Sequence, residues 1–132
     1  MSDSALQRIH NLMGNYGNLL DRLLVDQWLD LFAEPSVLDI AGNVLRTRAE
    51  REKLATSAPR GLHLGNLPVI TGNPETGVVR ATSSFMFWNI GKGKPLTGWY
   101  DDELRSDGNA WQFASRRISY LNSATLSSST RD

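Results

Sequence analysis

Val78-Val79-Arg80-Ala81-Thr82-Ser83-Ser84-Phe85-Met86-Phe87-Trp88-Asn89-Ile90 reads as one long strand. Val78, Arg80, Thr82, Ser84, Met86 and Trp88 point one way, and Val79, Ala81, Ser83, Phe85 and Phe87 the other. Downstream, Gly91-Lys92-Gly93-Lys94-Pro95 is a loop and Leu96 to Arg105 a strand. Ser106-Asp107-Gly108-Asn109 then makes a hairpin turn into a strand over Ala110 to Leu121. Upstream, Leu62 to Thr71 fits a strand, and Asn73-Pro74-Glu75-Thr76-Gly77 is the turn that follows it. The C-terminal half is therefore an antiparallel meander.

The N-terminal half has a different period. Ser4-Ala5-Leu6-Gln7 has the capping-box form, and Leu6, Ile9, Leu12, Met13, Tyr16, Leu19, Leu20 and Leu23 follow at helical spacing. Gly14 and Gly17 weaken that helix and leave room for close packing against it. Asp26 to Phe32 reads as a short second helix, with Trp28, Leu29 and Phe32 on one face and Pro35 as its stop. Val37 to Ile40 suits a short strand, and Thr47 can cap a third helix over about Arg48 to Ala55. Three helices followed by a meander make an α+β domain. A strongly curved sheet with helices across its concave side leaves a cone whose mouth holds a small ligand.

The chain has 132 residues and is 40% hydrophobic, enough for one domain with its own core. A single domain over 1–132 is expected, with an ordered core at about 4–122 and a polar tail over 123–132. There is no cysteine, which removes disulfides, thiol nucleophiles and thiolate zinc sites. With 14 basic and 14 acidic residues the net charge is zero, so neither nucleic acid nor membrane is an expected partner. Arg46, Arg48, Arg51 and Lys53 are interrupted by Glu50 and Glu52 and read as a solvated helix face. No apolar run is long enough to span a membrane, and the N-terminus shows no signal-peptide pattern. A cytoplasmic protein is expected.

Two histidines are present, His10 and His63. His63 sits in Gly61-Leu62-His63-Leu64-Gly65-Asn66, where the helical half gives way to strands, and imidazole suits proton transfer near neutral pH. Asp21 ends the apolar helix stripe, where a carboxylate needs a partner. Paired with His63, it would fix the ring tautomer and leave the other nitrogen free for a substrate proton. Tyr16 can project into the same cavity as a phenol donor. Asn66 faces away from His63 on a regular strand unless Gly65 turns the chain. Trp28, Phe85, Phe87, Trp88, Trp99 and Tyr100 are candidate walls for a ring-shaped ligand or plain core. Asp101-Asp102-Glu103 alternate faces, so they do not converge on a metal and read as mostly exposed. No metal and no cofactor is expected.

Leu19-Leu20-Asp21-Arg22-Leu23-Leu24-Val25-Asp26-Gln27-Trp28-Leu29-Asp30-Leu31-Phe32 resembles the opening helices of SnoaL-like proteins, in the nuclear-transport-factor-2-like superfamily. Gly61 to Ile70 is similar to that family's histidine-bearing strand. Gly98-Trp99-Tyr100-Asp101-Asp102-Glu103-Leu104-Arg105 and Trp111-Gln112-Phe113-Ala114-Ser115-Arg116-Arg117 resemble its closing strands. The resemblance runs over about residues 5–121. It implies a cone-shaped, cystatin-like α+β barrel, with three N-terminal helices packed on a strongly curved, mostly antiparallel sheet, a deep pocket and frequent dimers. The family includes scytalone dehydratase, steroid isomerases, hexachlorocyclohexane dehydrochlorinase, polyketide cyclases and ring-hydroxylating dioxygenase small subunits. Several of its enzymes use an Asp–His pair at positions that match Asp21 and His63, and Tyr16 matches a pocket tyrosine of the dehydratases. Two departures stand out. Leu62 replaces an Arg or Thr frequent before the histidine, and no histidine follows His63 to match the second one of scytalone dehydratase.

The leading expectation is a cofactor-independent lyase or isomerase acting on a small, largely apolar cyclic substrate. His63 would abstract the proton, Asp21 orient it and Tyr16 polarise an oxygen. The expected partners are that small molecule and a second copy of the chain. The alternatives are a non-catalytic binding or assembly module like the dioxygenase small subunits, and a polyketide cyclase or epoxide hydrolase. The geometry that separates catalysis from plain binding is whether the Asp21 carboxylate and a His63 ring nitrogen meet inside a cavity.

Overall fold

A computed structural model describes residues 4–121; the expected polar tail lies outside them. Helix α1 spans Ala5–Asp21, and the Ser4 hydroxyl accepts from the Gln7 N–H at 3.1 Å. Ile9, Leu12, Tyr16 and Leu19 are buried, whereas Leu6 and Leu23 at the stripe's ends are exposed. The helix closes with the Leu24 N–H donating to the Leu19 carbonyl and the Leu23 N–H to the Leu20 carbonyl. That pattern needs a left-handed residue, and Leu23 supplies it at φ 60°. A side chain in this region costs about 1–2 kcal/mol, so Leu23→Gly is expected to raise stability by about 1 kcal/mol in urea unfolding.

Helix α2 spans only Val25–Leu29. Phe32 was expected on it but opens strand β1, Phe32–Ile40. The cause is tertiary: Phe32 pairs with Phe113 of the last strand, and the Phe113 N–H donates to the Leu31 carbonyl at 2.8 Å. Pro35 stops no helix. It lies within β1, where the register with the last strand shifts between Phe32 and Val37, a place that tolerates a residue without an N–H. Strand β2, Asn43–Leu45, completes a hairpin that the sequence pattern did not show.

Helix α3, Arg48–Ser57, starts with a full capping box between Thr47 and Glu50. Its basic residues are not uniformly solvated. Arg51 is fully buried, with its guanidinium 4.9 Å from the Phe32 ring centre and Nη2 donating to Glu34 Oε1 at 2.8 Å. It falls on the face that packs on β1, which the charge count alone hides.

The expected single strand Leu62 to Thr71 is two, β3 (Gly61–Gly65) and β4 (Val69–Thr71), parted around Pro68. Strand β5 is Val78–Asn89, β6 is Lys94–Ser106 and β7 is Trp111–Leu121. The sheet order is β2-β1-β7-β6-β5-β3, with β4 also on β5. All pairings are antiparallel except β1 with β7, so the sheet is mostly antiparallel and the helices pack on it as an α+β fold. Val79, Ala81, Phe85 and Phe87 are buried on the inner face, as their alternation predicts. Met86, Trp88 and Trp99 stand on the outer face and are exposed.

Candidate active site

Asp21 is the last residue of α1. A carboxylate there opposes the helix dipole, and its side chain is only 8% exposed. Among the described residues its hydrogen-bond partners are both atoms of His63. Asp21 Oδ2 accepts the His63 backbone N–H at 2.6 Å, and Asp21 Oδ1 meets His63 Nδ1 at 2.6 Å. An ionised carboxylate only accepts, so facing one Nδ1 carries the proton, and in the neutral ring Nε2 then keeps its lone pair. That is the arrangement of an oriented general base.

Gly17 makes the approach possible. A Cβ there would lie 2.6 Å from the His63 Cβ, so β3 sits against α1 with no space for a methyl group. Gly17→Ala is therefore expected to push His63 away from Asp21. Helix propensity would rise, yet the NMR signal of the Nδ1 proton should be lost or shifted strongly upfield. An unchanged signal would refute the close-packing account.

Tyr16 lies five residues before Asp21 on the same helix, with its ring edge-on to His63 at 6.1 Å between centres. It is buried among Trp28, Phe32, Tyr100 and Phe113. Burial pushes its phenol up to about 12, opposed by the Arg116 guanidinium 4.3 Å from its ring centre. Tyr16 thus remains a donor throughout the physiological range. Burial also raises Tyr100 and Tyr120. The sign follows: the folded state favours neutral phenols, so this stabilisation is intact below pH 10 and lost as pH rises toward 12. Absorbance titration should show Tyr16 and Tyr100 ionising only as the protein unfolds in alkali. Ionisation of all three tyrosines near pH 10 in folded protein would contradict this.

The Asp21–His63 pair stands between two chambers. The first has a volume of about 160 Å³ and is walled mainly by Leu20, Ile40, Leu54, Phe85, Phe87 and Tyr120. An apolar cavity of about 150 Å³ holds one benzene ring in another protein. The second, about 430 Å³, is the more polar of the two, with His10, Asn18, Arg22, Asn66, Ser83 and Arg116 in its wall beside Met13, Leu62 and Leu64. Tyr16, Asp21, His63, Phe85 and Tyr100 border both. Phe85 and Tyr100 stack at 4.4 Å with planes 11° apart, forming a flat surface beside the imidazole. Among the described residues no cluster of three His, Asp or Glu is placed to hold a metal, and no helix is long and apolar enough to cross a membrane.

The family described as the SnoaL-like domain matches residues 4–117. The chain belongs to the SnoaL-like family. A comparison with curated proteins finds none that matches this SnoaL-like chain. Among solved structures, it is similar to Rv3472(D26N), a protein of unknown function from Mycobacterium tuberculosis. The TM-score is 0.80 at 23% identity, over 89% of this chain and 72% of that one. It is similar to the beta subunit of a candidate aromatic-ring-hydroxylating dioxygenase from Novosphingobium aromaticivorans DSM 12444. That match has a TM-score of 0.74 at 23% identity, over 91% and 92% of the two chains. LinA aligns at a TM-score of 0.77 and 12% identity, over 89% and 86%. At these identities the likeness is one of fold, and related structures are described as cystatin-like.

Within this SnoaL-like fold the sequence-derived residues separate. Asp21, His63, Tyr16, Phe85, Phe87 and Tyr100 gather around the chambers. Trp28 does not; it is fully buried under the α1 stripe, 4.9 Å from the Phe32 ring, and lines neither chamber. Trp88 and Trp99 are also corrections, because strand alternation carries both to the outer face. Asn66 lines the more polar chamber together with His63, and its amide donates to the Ser84 hydroxyl.

The sequence pattern does not single out Arg116, and it suggests an exposed Asp102. Both are buried in a two-bond ion pair, Nε to Oδ1 at 2.8 Å and Nη2 to Oδ2 at 2.9 Å. The signal was present: Asp102 lies two residues after Tyr100 and two before Leu104, both inward-facing.

Proposed function

We propose that this SnoaL-like protein is a cofactor-independent lyase or isomerase for a small cyclic substrate. The supporting observation is the His63 imidazole, tautomer-fixed by Asp21 at 2.6 Å and bordering an apolar chamber of about 160 Å³. Nε2 takes a proton from an acidic C–H of the substrate. Asp21 stabilises the imidazolium that results. In an elimination, the C–H pair becomes the new double bond, and the leaving group departs with its own bonding pair. In an isomerisation, the same proton returns from Nε2 to another carbon. Tyr16, neutral at working pH, donates to an oxygen that gains charge.

Elimination is favoured by the company the fold keeps, which includes a hexachlorocyclohexane dehydrochlorinase and a candidate scytalone dehydratase. The reading carries the expected partners with it, a small cyclic molecule and a second copy of this chain. The test is proton exchange and elimination on a panel of cyclic ketones, alcohols and halides in D₂O, followed by NMR. The wild type should exchange or eliminate on at least one of them, and His63→Ala should not. Equal rates in the two proteins, or none in either, would leave the binding-module reading in its place.

A further inference from the structure

The polar chamber is the larger of the two, and the mechanism above makes no use of it. Its donors outnumber its free acceptors. Arg22 stands on its wall with Nε donating to Asn18 Oδ1 at 3.0 Å, and no carboxylate of the described residues pairs with it. His10 and Asn18 lie on the same helix and also line it. Arg116 borders it as well, and its Nη1 is buried with no hydrogen-bond partner among the described residues. The one acid in the wall, Asp21, has both oxygens engaged by His63. Arg116 is charge-paired with Asp102, so the chamber offers two donors that lack an acceptor among the described residues, Arg116 Nη1 and the Arg22 guanidinium beyond its Nε, while the oxygens of its one acid are taken by His63.

From this we infer that the natural ligand is an amphipathic carboxylic acid. Its ring occupies the apolar chamber against Phe85 and Phe87, and its carboxylate lies in the polar chamber toward Arg22 and Arg116. The chain between them passes His63. This deepens the lyase or isomerase reading and rests on it only for placing the reacting carbon beside the imidazole. A charge-assisted hydrogen bond in a partly closed site is the physical source of the preference for an acid over a neutral isostere.

Gly14 gives a clean way to test it. It lines the polar chamber, and a Cβ built on it meets nothing within 4 Å. Gly14→Leu fills that space and also favours the helix. The probes are 3-phenylpropionate and 3-phenylpropanol, titrated by calorimetry against the full chain at low ionic strength. The acid is expected to bind about tenfold tighter than the alcohol. Arg22→Gln should remove most of that advantage and leave the alcohol unchanged. Gly14→Leu should weaken the acid about tenfold with the protein still folded by circular dichroism. Equal binding of acid and alcohol, no binding of the acid, or an acid affinity indifferent to both substitutions would overturn the inference. Binding is read without turnover, so the outcome is independent of the His63→Ala result. An inactive protein that still prefers the acid would sink only the catalytic reading.

Discussion

Asp21→Asn is expected to leave the protein folded and to lower turnover by about 100- to 10,000-fold. The argument lies in which atoms can donate. The Asp21 carboxylate accepts two hydrogens, one from the His63 backbone and one from its Nδ1. An asparagine has only one oxygen. The backbone N–H cannot change its role, so it holds that oxygen. The amide NH₂ then faces Nδ1, which must become an acceptor. The imidazole proton moves to Nε2, and the lone pair that would take the substrate proton is gone. The backbone bond survives, so β3 stays on α1. Turnover on a substrate found in the panel above, measured beside a thermal melt, checks this. A near-normal rate would show that the ring's tautomer is irrelevant to whatever the site does.

Asp102→Ala is expected to produce the largest loss of stability, about 3–5 kcal/mol in urea unfolding. The Arg116 guanidinium lies 3.7 Å from the Tyr100 ring centre, 4.3 Å from Tyr16 and 4.4 Å from Phe113. These ring faces favour the cation but do not replace a carboxylate that accepts two bonds from it. Without Asp102 the charge is stranded in a closed aromatic setting. Folded domains carry only about 5–15 kcal/mol in total, so the variant would be close to unfolding at ambient temperature. The double change Asp102→Leu with Arg116→Met should recover most of the loss, because no unpaired charge remains. A loss below about 1 kcal/mol for the single change would place the pair in the class of exposed salt bridges.

What could be read without coordinates was local. The Thr47 cap of the third helix and the alternation along Val78 to Ile90 depend on neighbours in the chain, and both stand in the structure. The fold followed from the order of such pieces and from the family resemblance. Phe32 shows where this stops. Its helical spacing with Trp28 is real, but pairing with Phe113, far along the chain, decides its conformation. Arg51 and Asp102 show the same for charge, since a residue type that prefers water is buried once one specific partner is in reach. The site divided along similar lines. Asp21 and His63 stood out as an acid on an apolar stripe and a rare titratable ring. The aromatic walls did not sort themselves, because alternation says that Phe87 and Trp88 differ in face without saying which face is concave. The polar chamber had no sequence signal, since Gly14, Arg22, Ser83 and Arg116 meet only through the curvature of the sheet.

The contact between Asp21 and His63 also has a mechanical side. β3 is the terminal strand of the sheet order, five residues long, paired along one edge to β5 alone. A short border strand of this kind is the sort of segment that opens first when a protein breathes. Here its free side is fastened to the helix through the His63 amide and ring, so the groups poised for chemistry are also the latch on the sheet's open border. Protonating the imidazole, as the proposed mechanism requires, would change the charge on that latch. Under the proposed mechanism each cycle would load and unload the seam between helix and sheet, and amide exchange along Leu62 and Leu64 would read the protonation of His63.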